Sequence, residues 1–278
     1  MKKKIKTITA TTSDRFNKTE FVSSFTEYSN SGLTLIQTSY RAKNELENKT
    51  TFKYNESGKI IEEAEYIDEN EIAEKTVYER NEKGKIIKAT VHYSDGAISE
   101  KKYNYDGNSL TIVKTDEDQE PEGFEMYLFD NNENIIQKEI HDSFGNVEEK
   151  ESFEYDNNNN VIRKIDYDED LKPFSYSIYS YNKNKELTSI KRLNSENELM
   201  EEILFVYDEK DRLLEQQYGN MYLVKFEYND NENTKKEERF NANGELEFQS
   251  LSYYNSDGLV IKEDGIFTTT IYEYSFFE

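Results

Sequence analysis

A repeat of about 26 residues runs through nearly the whole chain and constrains the fold more than any other feature. Its mark is a position, here called the anchor, that is usually aromatic and precedes a polar turn and an aliphatic pair, as in Tyr54-Asn55-Glu56-Ser57-Gly58-Lys59-Ile60-Ile61. Anchors fall at Tyr28, Tyr54, Arg80, Tyr105, Phe129, Tyr155, Tyr181, Tyr207, Tyr228 and Tyr254. Most intervals are 26 residues, but Tyr207 and Tyr228 are only 21 apart, which marks a deletion. Repetition at a fixed period predicts a series of similar structural modules.

Each repeat carries the signals of a β-hairpin. A second aromatic residue stands two positions before most anchors, as at Phe52 and Tyr179, and this spacing places both rings on one face of a strand. Four residues after the anchor the chain has Gly, Asn or Asp, which tolerate the positive φ of a tight turn. These turn residues are Gly32, Gly58, Gly84, Asn159, Asp211 and Gly258. The aliphatic pair then begins a return strand.

A second turn follows within each repeat. Twelve residues past the anchor a ring returns, at Tyr40, Tyr66, Tyr167 and Phe240. Sixteen residues past it Asn or Gly recurs, at Asn44, Asn70, Gly96, Gly145, Asn197 and Gly244, and an aliphatic residue follows two positions later. Both prolines, Pro121 and Pro173, fall in second turns, where a missing N–H does least harm. In the shortened repeat this turn contracts to Tyr218-Gly219-Asn220.

The pattern predicts an all-β fold of tandem β-hairpin repeats, with about twenty strands in up-and-down order. Because strands twist, so long a meander cannot stay flat; it can spiral, curl around a hollow or lie as a long single layer. We predict a long curved or spiralling antiparallel sheet that remains open. Residues 1–24 are predicted to form a capping hairpin, 25–271 the repeats and 272–278 a closing strand.

The composition predicts a folded chain with a thin core. Only 35% of the residues are hydrophobic while 33% are charged, values that alone would suggest disorder. The 22 Tyr and 16 Phe argue otherwise, because a tyrosine ring packs while its hydroxyl stays in water. The absence of cysteine excludes disulfides, thiolate zinc sites and cysteine nucleophiles. The basic start of the chain lacks the apolar segment of a signal peptide, and we expect a cytoplasmic protein.

The net charge of −23 limits the kinds of partner that the protein is expected to bind. It disfavours nucleic acid, which requires a basic footprint, and anionic membrane surfaces. It would attract a basic protein, although it could serve solubility alone. The densest acidic segment is predicted to be an irregular insertion that contacts such a partner through Asp116, Glu117, Asp118, Glu120 and Glu122. The alternative is an exposed loop without a role.

No catalytic constellation is apparent, and we predict a non-enzyme without cofactor or metal. The two histidines, His92 and His141, occupy ring-returning positions and are interpreted as structural replacements of tyrosine. Asp166, Asp168 and Asp170 alternate in a way that could offer oxygens to Ca²⁺. They coincide with a repeat turn, so solvated turn residues are the favoured interpretation. The many tyrosines could stack on sugars, but packing within the sheet is favoured.

The repeat resembles the YD repeat of RHS and teneurin-type proteins. Tyr254-Asn255-Ser256-Asp257-Gly258-Leu259-Val260-Ile261 matches the first half of that motif, and His141-Asp142-Ser143-Phe144-Gly145-Asn146-Val147 and Asn241-Ala242-Asn243-Gly244-Glu245-Leu246 resemble the second. Tyr155-Asp156 and Tyr207-Asp208 keep the dipeptide itself. Bacterial MORN-variant antitoxin repeats are a weaker resemblance. The YD resemblance implies a sheet that spirals into a shell, often around a toxin domain, and repeats that can bind glycans.

The chain departs from that family in being far shorter than a full shell and in lacking a toxin domain after its last repeat. The leading hypothesis is therefore a non-enzymatic binding module, an immunity-like or accessory protein of a bacterial toxin system that engages a basic protein such as a nuclease toxin. A glycan-binding or adhesive surface protein, calcium-assisted or not, is the alternative. An enzyme that uses two carboxylates on a polysaccharide ranks last, because a single-layer sheet offers no natural cleft.

Overall fold

The computed structural model describes residues 3–278, so Met1 and Lys2 of the predicted capping hairpin lie outside the described residues. The first eleven strands are β1 (Ile5–Asp14), β2 (Glu20–Tyr28), β3 (Thr34–Arg41), β4 (Glu45–Tyr54), β5 (Ile60–Tyr66), β6 (Ile72–Arg80), β7 (Ile86–Tyr93), β8 (Ile98–Asp106), β9 (Ser109–Thr115), β10 (Pro121–Phe129) and β11 (Ile135–Asp142). The next eleven are β12 (Val147–Tyr155), β13 (Val161–Tyr167), β14 (Pro173–Tyr181), β15 (Leu187–Asn194), β16 (Leu199–Tyr207), β17 (Leu213–Tyr218), β18 (Tyr222–Asn229), β19 (Thr234–Asn241), β20 (Leu246–Tyr254), β21 (Val260–Gly265) and β22 (Thr268–Phe276). A single 3-10 turn, Ala42–Asn44, joins β3 to β4.

The strands belong to one 22-stranded antiparallel sheet, in which strands that follow one another in the chain pair, as β1 does with β2 and β12 with β13. The first strand also pairs with the last, and Thr9 lies opposite Glu273 in this register. The sheet therefore closes into a barrel, and the prediction of an open or spiralling sheet is wrong. Closure pairs the N–H and C=O groups that the two terminal strands of an open sheet would expose.

The predicted hairpins are confirmed. All six Gly, Asn and Asp residues predicted in the first turns have positive φ, from +60° at Asp211 to +83° at Gly32. In the second turns the same is true of all the predicted residues except Asn70. The two prolines are the first residues of β10 and β14. In the shortened repeat Tyr218 pairs directly with Tyr222 across a tight turn.

A one-residue β-bulge recurs at the ends of most strand pairs. Between β12 and β13 the register shifts at Glu154/Tyr155, and between β13 and β14 it shifts at Asp166/Tyr167. A bulge bends its strand and increases the local twist. Regular bulges therefore supply the curvature that a closed sheet needs. The pairing of β17 with β18 proceeds without such a shift.

Anchor side chains connect successive repeats. The hydroxyl of Tyr54 donates a hydrogen bond to the carbonyl of Thr34 at 2.7 Å, and Tyr181 and Tyr207 make the same bond to Val161 and Leu187 at 2.7 and 2.9 Å. Each acceptor is the first residue of the return strand of the preceding repeat. The anchor thus orders one hairpin against the one before it, which explains why a tyrosine recurs at this position.

The chain divides into two compact units. The first contains the residues up to Ile98 together with Glu227–Glu238 and Phe248–Glu278, and the second contains Ser99–Phe226 and Arg239–Glu247. Buried apolar residues in the first unit are Ala10, Ala64, Ala89 and Val91, and in the second they are Ile112 and Val224. None of the described large side chains is fully buried, in agreement with a thin core. Within residues 3–278, no helix has the length and apolarity that crossing a membrane requires.

The proposed division of the sequence into a capping hairpin, repeats and a closing strand stays a prediction. In the structure β1 and β2 do form a hairpin, and the segment 272–278 supplies most of the residues of β22 that pair with β1.

Candidate functional site

In the second unit the two ends of the hairpins differ in chemistry. We call them the first-turn edge, made by the turns that follow the anchors, and the second-turn edge, made by the second turns of the repeats. The first-turn edge contains the turns 130–134, 156–160, 182–186 and 208–212, none of which includes an apolar residue. Their amides bond neighbouring turns, as Asn134 Nδ2 donates to Asn159 Oδ1 at 2.9 Å. This edge is a polar surface on which several side chains bond within a turn or to the next turn, as Asn184 does to Asp211.

The second-turn edge of the second unit instead exposes large apolar side chains. Phe144 is 89% exposed and Met200 is 64% exposed. The residues here called the apolar rim are Phe144, Leu171, Phe174, Leu199, Met200 and Met221; Leu246, 45% exposed, lies beside the next second turn. The rim residues lie on or beside four successive turns. Because each hairpin contributes two strands to the sheet, neighbouring turns are about 10 Å apart. Contiguous exposed apolar residues on one edge are typical of an interaction surface.

The predicted partner-binding segment lies on the same edge, in the turn between β9 and β10. Asp116 is half-buried and its Oδ1 accepts hydrogen bonds from the N–H groups of Asp118 and Glu120, at 3.0 and 2.8 Å. This is the same turn that other repeats form, so the prediction of an irregular insertion is wrong. Asp116 therefore stabilises the turn, while Glu117, Asp118, Glu120 and Glu122 are exposed. Only these four of the predicted residues present side chains that a partner could reach.

Carboxylates at the first position of other turns have the same structural task. Bonds from the N–H and the side-chain amide of Asn160 hold the pKa of the Asp156 carboxyl below its usual value. The main-chain N–H and the guanidinium of Arg212 lower the pKa of Asp208 in the same way. Acidic residues later in the turns, such as Glu169 and Glu196, are exposed. The negative charge available to a partner thus comes from these later positions.

The three alternating aspartates considered for calcium are engaged by the protein. The Asp166 carboxylate forms an ion pair with Lys164 at 2.8 Å and accepts a hydrogen bond from the Ser175 hydroxyl at 2.8 Å. Asp168 caps its turn, and Asp170 pairs with Lys172 at 2.9 Å. Among residues 3–278, no group of three or more His, Asp or Glu side chains is arranged to hold a metal ion.

The two histidines lie within the sheet. His141 is 9% exposed and its ring stacks on Phe124, with centroids 4.2 Å apart. Its two nitrogens lie 3.2 Å from the Gly145 carbonyl and 3.2 Å from a Glu139 carboxylate oxygen. Both neighbours are hydrogen-bond acceptors, so a ring nitrogen that carries a hydrogen can donate to the one it faces. His92 lies opposite Lys75 in the register of β6 and β7.

A recess of about 540 Å³ opens on the second-turn edge, between the short β17–β18 hairpin and the turn after β19. Its wall includes Tyr222, Leu223 and Phe240, and its rim includes Asn220 and Ala242. The repeat that begins at Tyr207 has Gly219 twelve residues later, where most other repeats have a ring. The missing side chain and the five-residue deletion together leave this space. Every residue of the wall belongs to the second unit.

Sequence reasoning missed the apolar rim and the recess. The sequence shows an aliphatic residue two positions after the Asn or Gly of each second turn but does not indicate its exposure, and one of these residues, Leu199, is 56% exposed. The deletion at Tyr218-Gly219-Asn220 was visible in the sequence and is the signal from which the recess could have been inferred.

Comparison with known proteins yields no matching family model and no match among curated proteins. Solved structures give distant likenesses. A porin-like protein from Bacteroides uniformis is 9% identical with a TM-score of 0.37, and the alignment covers 98% of each chain. A porin-like protein from Bacteroides vulgatus is 14% identical with a TM-score of 0.32, over 75% of this chain and 100% of that one. The Photorhabdus luminescens Tc holotoxin pore is 10% identical with a TM-score of 0.20, over 92% of this chain and 20% of that one.

Proposed function

We propose that the protein is a non-enzymatic binding module that engages a basic protein through the second-turn edge of its second unit. The observation that carries the proposal is the contrast between the two edges: the second-turn edge combines the apolar rim with exposed acidic residues. Its acidic turns include Glu117, Asp118 and Glu120 in one hairpin and Glu169 and Asp170 in another. The first-turn edge has polar turns without apolar residues.

The two kinds of side chain have different tasks in such an interface. Burial of apolar surface drives protein association, and a rim of exposed Phe, Leu and Met supplies that surface. Exposed carboxylates steer a basic partner and set the orientation in which it docks. The net charge of −23 extends this steering over the whole molecule. Together they favour a partner that presents apolar and basic residues side by side.

The repeat motif supports a more specific context. Its resemblance to the YD repeat of RHS and teneurin-type proteins, carried by Tyr155-Asp156 and Tyr207-Asp208, favours a bacterial toxin system as the setting. In that setting the protein would act as an immunity-like or accessory protein, and its basic partner would be a toxin such as a nuclease. The toxin-system setting is inferred from the resemblance of the repeat motif, whereas the basic partner is inferred from the chemistry of the second-turn edge.

The test begins with a pull-down from the native cell at low salt, with mass spectrometry of stoichiometric partners. The purified partner is then titrated calorimetrically against a variant that carries Glu117→Gln, Asp118→Asn, Glu120→Gln and Glu122→Gln. Asp116 is kept because it caps the turn. We expect affinity to fall at least tenfold at low salt and the difference to shrink as salt rises, because salt screens exposed charges.

A control variant changes the net charge equally on first turns through Glu56→Gln, Glu133→Gln, Glu209→Gln and Glu232→Gln, all of which are exposed. It should bind nearly as tightly as the natural protein. Equal losses in the two variants would show that only net charge matters. No loss in the first variant would refute the proposed edge.

A further inference from the structure

We propose that the recess beside Phe240 is a socket for one large aromatic side chain of the basic partner. The inference rests on the proposed function and adds to it a specific position and the chemistry of the residue that docks there. It concerns Tyr222, Leu223 and Phe240, which contribute the large apolar part of the lining; Met221, next to Tyr222 in the chain, is 58% exposed. An aromatic residue that inserts into a pocket is the usual centre of a protein interface.

The recess lies beside Phe240, which occupies the ring-returning position of its repeat. In other repeats the ring-returning residue is covered: the Lys49 ammonium lies 4.4 Å from the centre of the Tyr66 ring, and Phe124 stacks on His141 at 4.2 Å. Phe240 occupies the same position in its own repeat and borders the recess, together with Leu223, which stands five residues before its anchor as Lys49 and Phe124 do before theirs. The preceding repeat has Gly219 at its ring-returning position, and this residue without a side chain also lines the recess. A ring from another protein could therefore pack against both Phe240 and Leu223.

The size and lining of the recess agree with an uncharged, mostly apolar occupant. A volume of about 540 Å³ falls within the range of pockets that enclose small molecules, and it is ample for one aromatic side chain. No carboxylate lines it, and its one charged residue, Lys225, lies 3.6 Å from Glu215. The amide of Asn220 at the border can accept a hydrogen bond from an indole N–H or a phenol. Aromatic residues that pair an apolar body with one polar atom suit such a site.

The surroundings of the recess determine what should flank that aromatic residue. On one side the turn between β15 and β16 exposes Glu196 and Glu198, and on the other the turn between β19 and β20 exposes Glu245, whereas Glu247 forms an ion pair with Arg239 at 3.5 Å. Neither turn, over residues 194–200 or 241–247, contains a Lys or Arg. Charge complementarity therefore selects a segment in which basic residues stand on both sides of the aromatic one.

The experiment uses synthetic peptides as probes: Lys-Lys-Gly-Trp-Gly-Lys-Lys and the same peptide with Ala in place of Trp. The protein contains no tryptophan, so the emission of the peptide indole reports its own environment without background. Fluorescence titration and calorimetry of the full chain at low salt give affinity and emission wavelength. We expect the Trp peptide to bind at least fivefold more tightly than the Ala peptide, with a shift of its emission to shorter wavelength.

Variants then locate the bound indole. Ala242→Phe, at an exposed position on the border, should fill the recess and reduce the affinity of the Trp peptide to that of the Ala peptide. Ser94→Phe places the same ring at the same exposed turn position of another repeat and should leave binding unchanged. If Ala242→Phe had no effect, or if a neutral disaccharide such as maltose displaced the Trp peptide, the socket would be refuted.

The peptide titrations distinguish failure of the aromatic socket from failure of the proposed function. If both peptides bind equally and salt weakens them equally, the acidic edge stands and the aromatic socket fails. If neither peptide binds at low salt, the proposed engagement of basic partners fails as well.

Discussion

The phenolic hydroxyl of Tyr155 donates a hydrogen bond to the main-chain carbonyl of Ile135 at 2.7 Å, and so joins the anchor of one repeat to the start of the return strand twenty residues earlier. Burial raises the pKa of this hydroxyl, and the charge of Asp130 raises it further. The hydroxyl is therefore a permanent donor at neutral pH. Because the same bond recurs along the chain, its contribution can be measured in one repeat and tested in another.

Replacing Tyr155 by Phe keeps the ring and deletes this donor, which leaves the Ile135 carbonyl without its partner. We expect the free energy of unfolding to fall by about 1 kcal/mol, the net value of one such bond. Urea unfolding followed by circular dichroism measures it. Tyr176→Phe is the matched control, because that ring packs against Arg163 and its hydroxyl has no hydrogen bond to the described residues. Equal effects in the two variants would contradict the assigned role of the anchor.

Arg80 offers a natural substitution of the anchor. Its Nη2 and Nε donate to the Ile60 carbonyl at 2.9 and 3.2 Å, and its Nη1 donates to Gly84 at 3.1 Å. We expect Arg80→Tyr to preserve the bond to Ile60 and to change stability by less than about 0.5 kcal/mol, whereas Arg80→Met should cost about 1–2 kcal/mol. Thermal unfolding of both variants under one condition compares them. A Tyr variant as unstable as the Met variant would show that the guanidinium has a further role.

Asp156 makes stability depend on pH. Its folded-state pKa is lowered, so its contribution is complete above the ordinary aspartate pKa of about 3.9 and is lost as pH falls through the lower folded value. Asn182 caps the equivalent turn without charge, through bonds to the N–H groups of Asn184 and Glu186 at 2.9 and 3.0 Å. Asp156→Asn should therefore fold normally at pH 7 and lose less stability on acidification than the natural protein.

The reverse exchange, Asn182→Asp, should add acid sensitivity. Asp156→Ala removes the cap at every pH and should be less stable than Asp156→Asn throughout. Thermal midpoints between pH 7 and pH 3 report all three variants. Parallel pH profiles for the natural protein and Asp156→Asn would contradict the lowered pKa.

Closure of the sheet can be tested with an engineered disulfide, since the chain contains no cysteine that could mispair. Thr9 and Glu273 lie opposite one another in the pairing of β1 with β22, a geometry that suits a disulfide. We expect Thr9→Cys with Glu273→Cys to oxidise quantitatively, as measured by thiol titration and mobility on a denaturing gel. The bridge should stabilise the fold by about 2–4 kcal/mol.

Thr9→Cys with Thr269→Cys is the matched control, because Thr269 pairs with Ser13, four residues further along β1. It should remain reduced under the same conditions. Oxidation of neither pair in the folded protein would indicate that the terminal strands do not meet.

Much of the local structure was predictable, because it depends on contacts within a few residues. Gly58 and Asn159 adopt the positive φ expected of them, and Pro121 and Pro173 begin strands. Four residues of the acidic segment, Glu117, Asp118, Glu120 and Glu122, are exposed, but the capping role of Asp116 required knowing that its carboxylate accepts two main-chain N–H groups. The exposure of Leu199 could not be predicted from the sequence, because the alternation of side chains along a strand does not show whether the first residue of that strand extends past the neighbouring hairpins.

The 26-residue period by itself determined that the chain forms antiparallel hairpins, because ring spacing and turn residues act over short distances. It also determined the identity of the anchor, whose hydroxyl reaches a carbonyl only one repeat away, as Tyr54 reaches Thr34. The pairing of Thr9 with Glu273 was decided by the tertiary structure alone. Sheet curvature accumulates from a bulge and a twist in each strand pair, and whether the total brings β1 to β22 is not a property of any single repeat. The two edges and the recess depend on the same assembly, since only aligned neighbouring hairpins turn scattered Phe, Leu and Met residues into one surface.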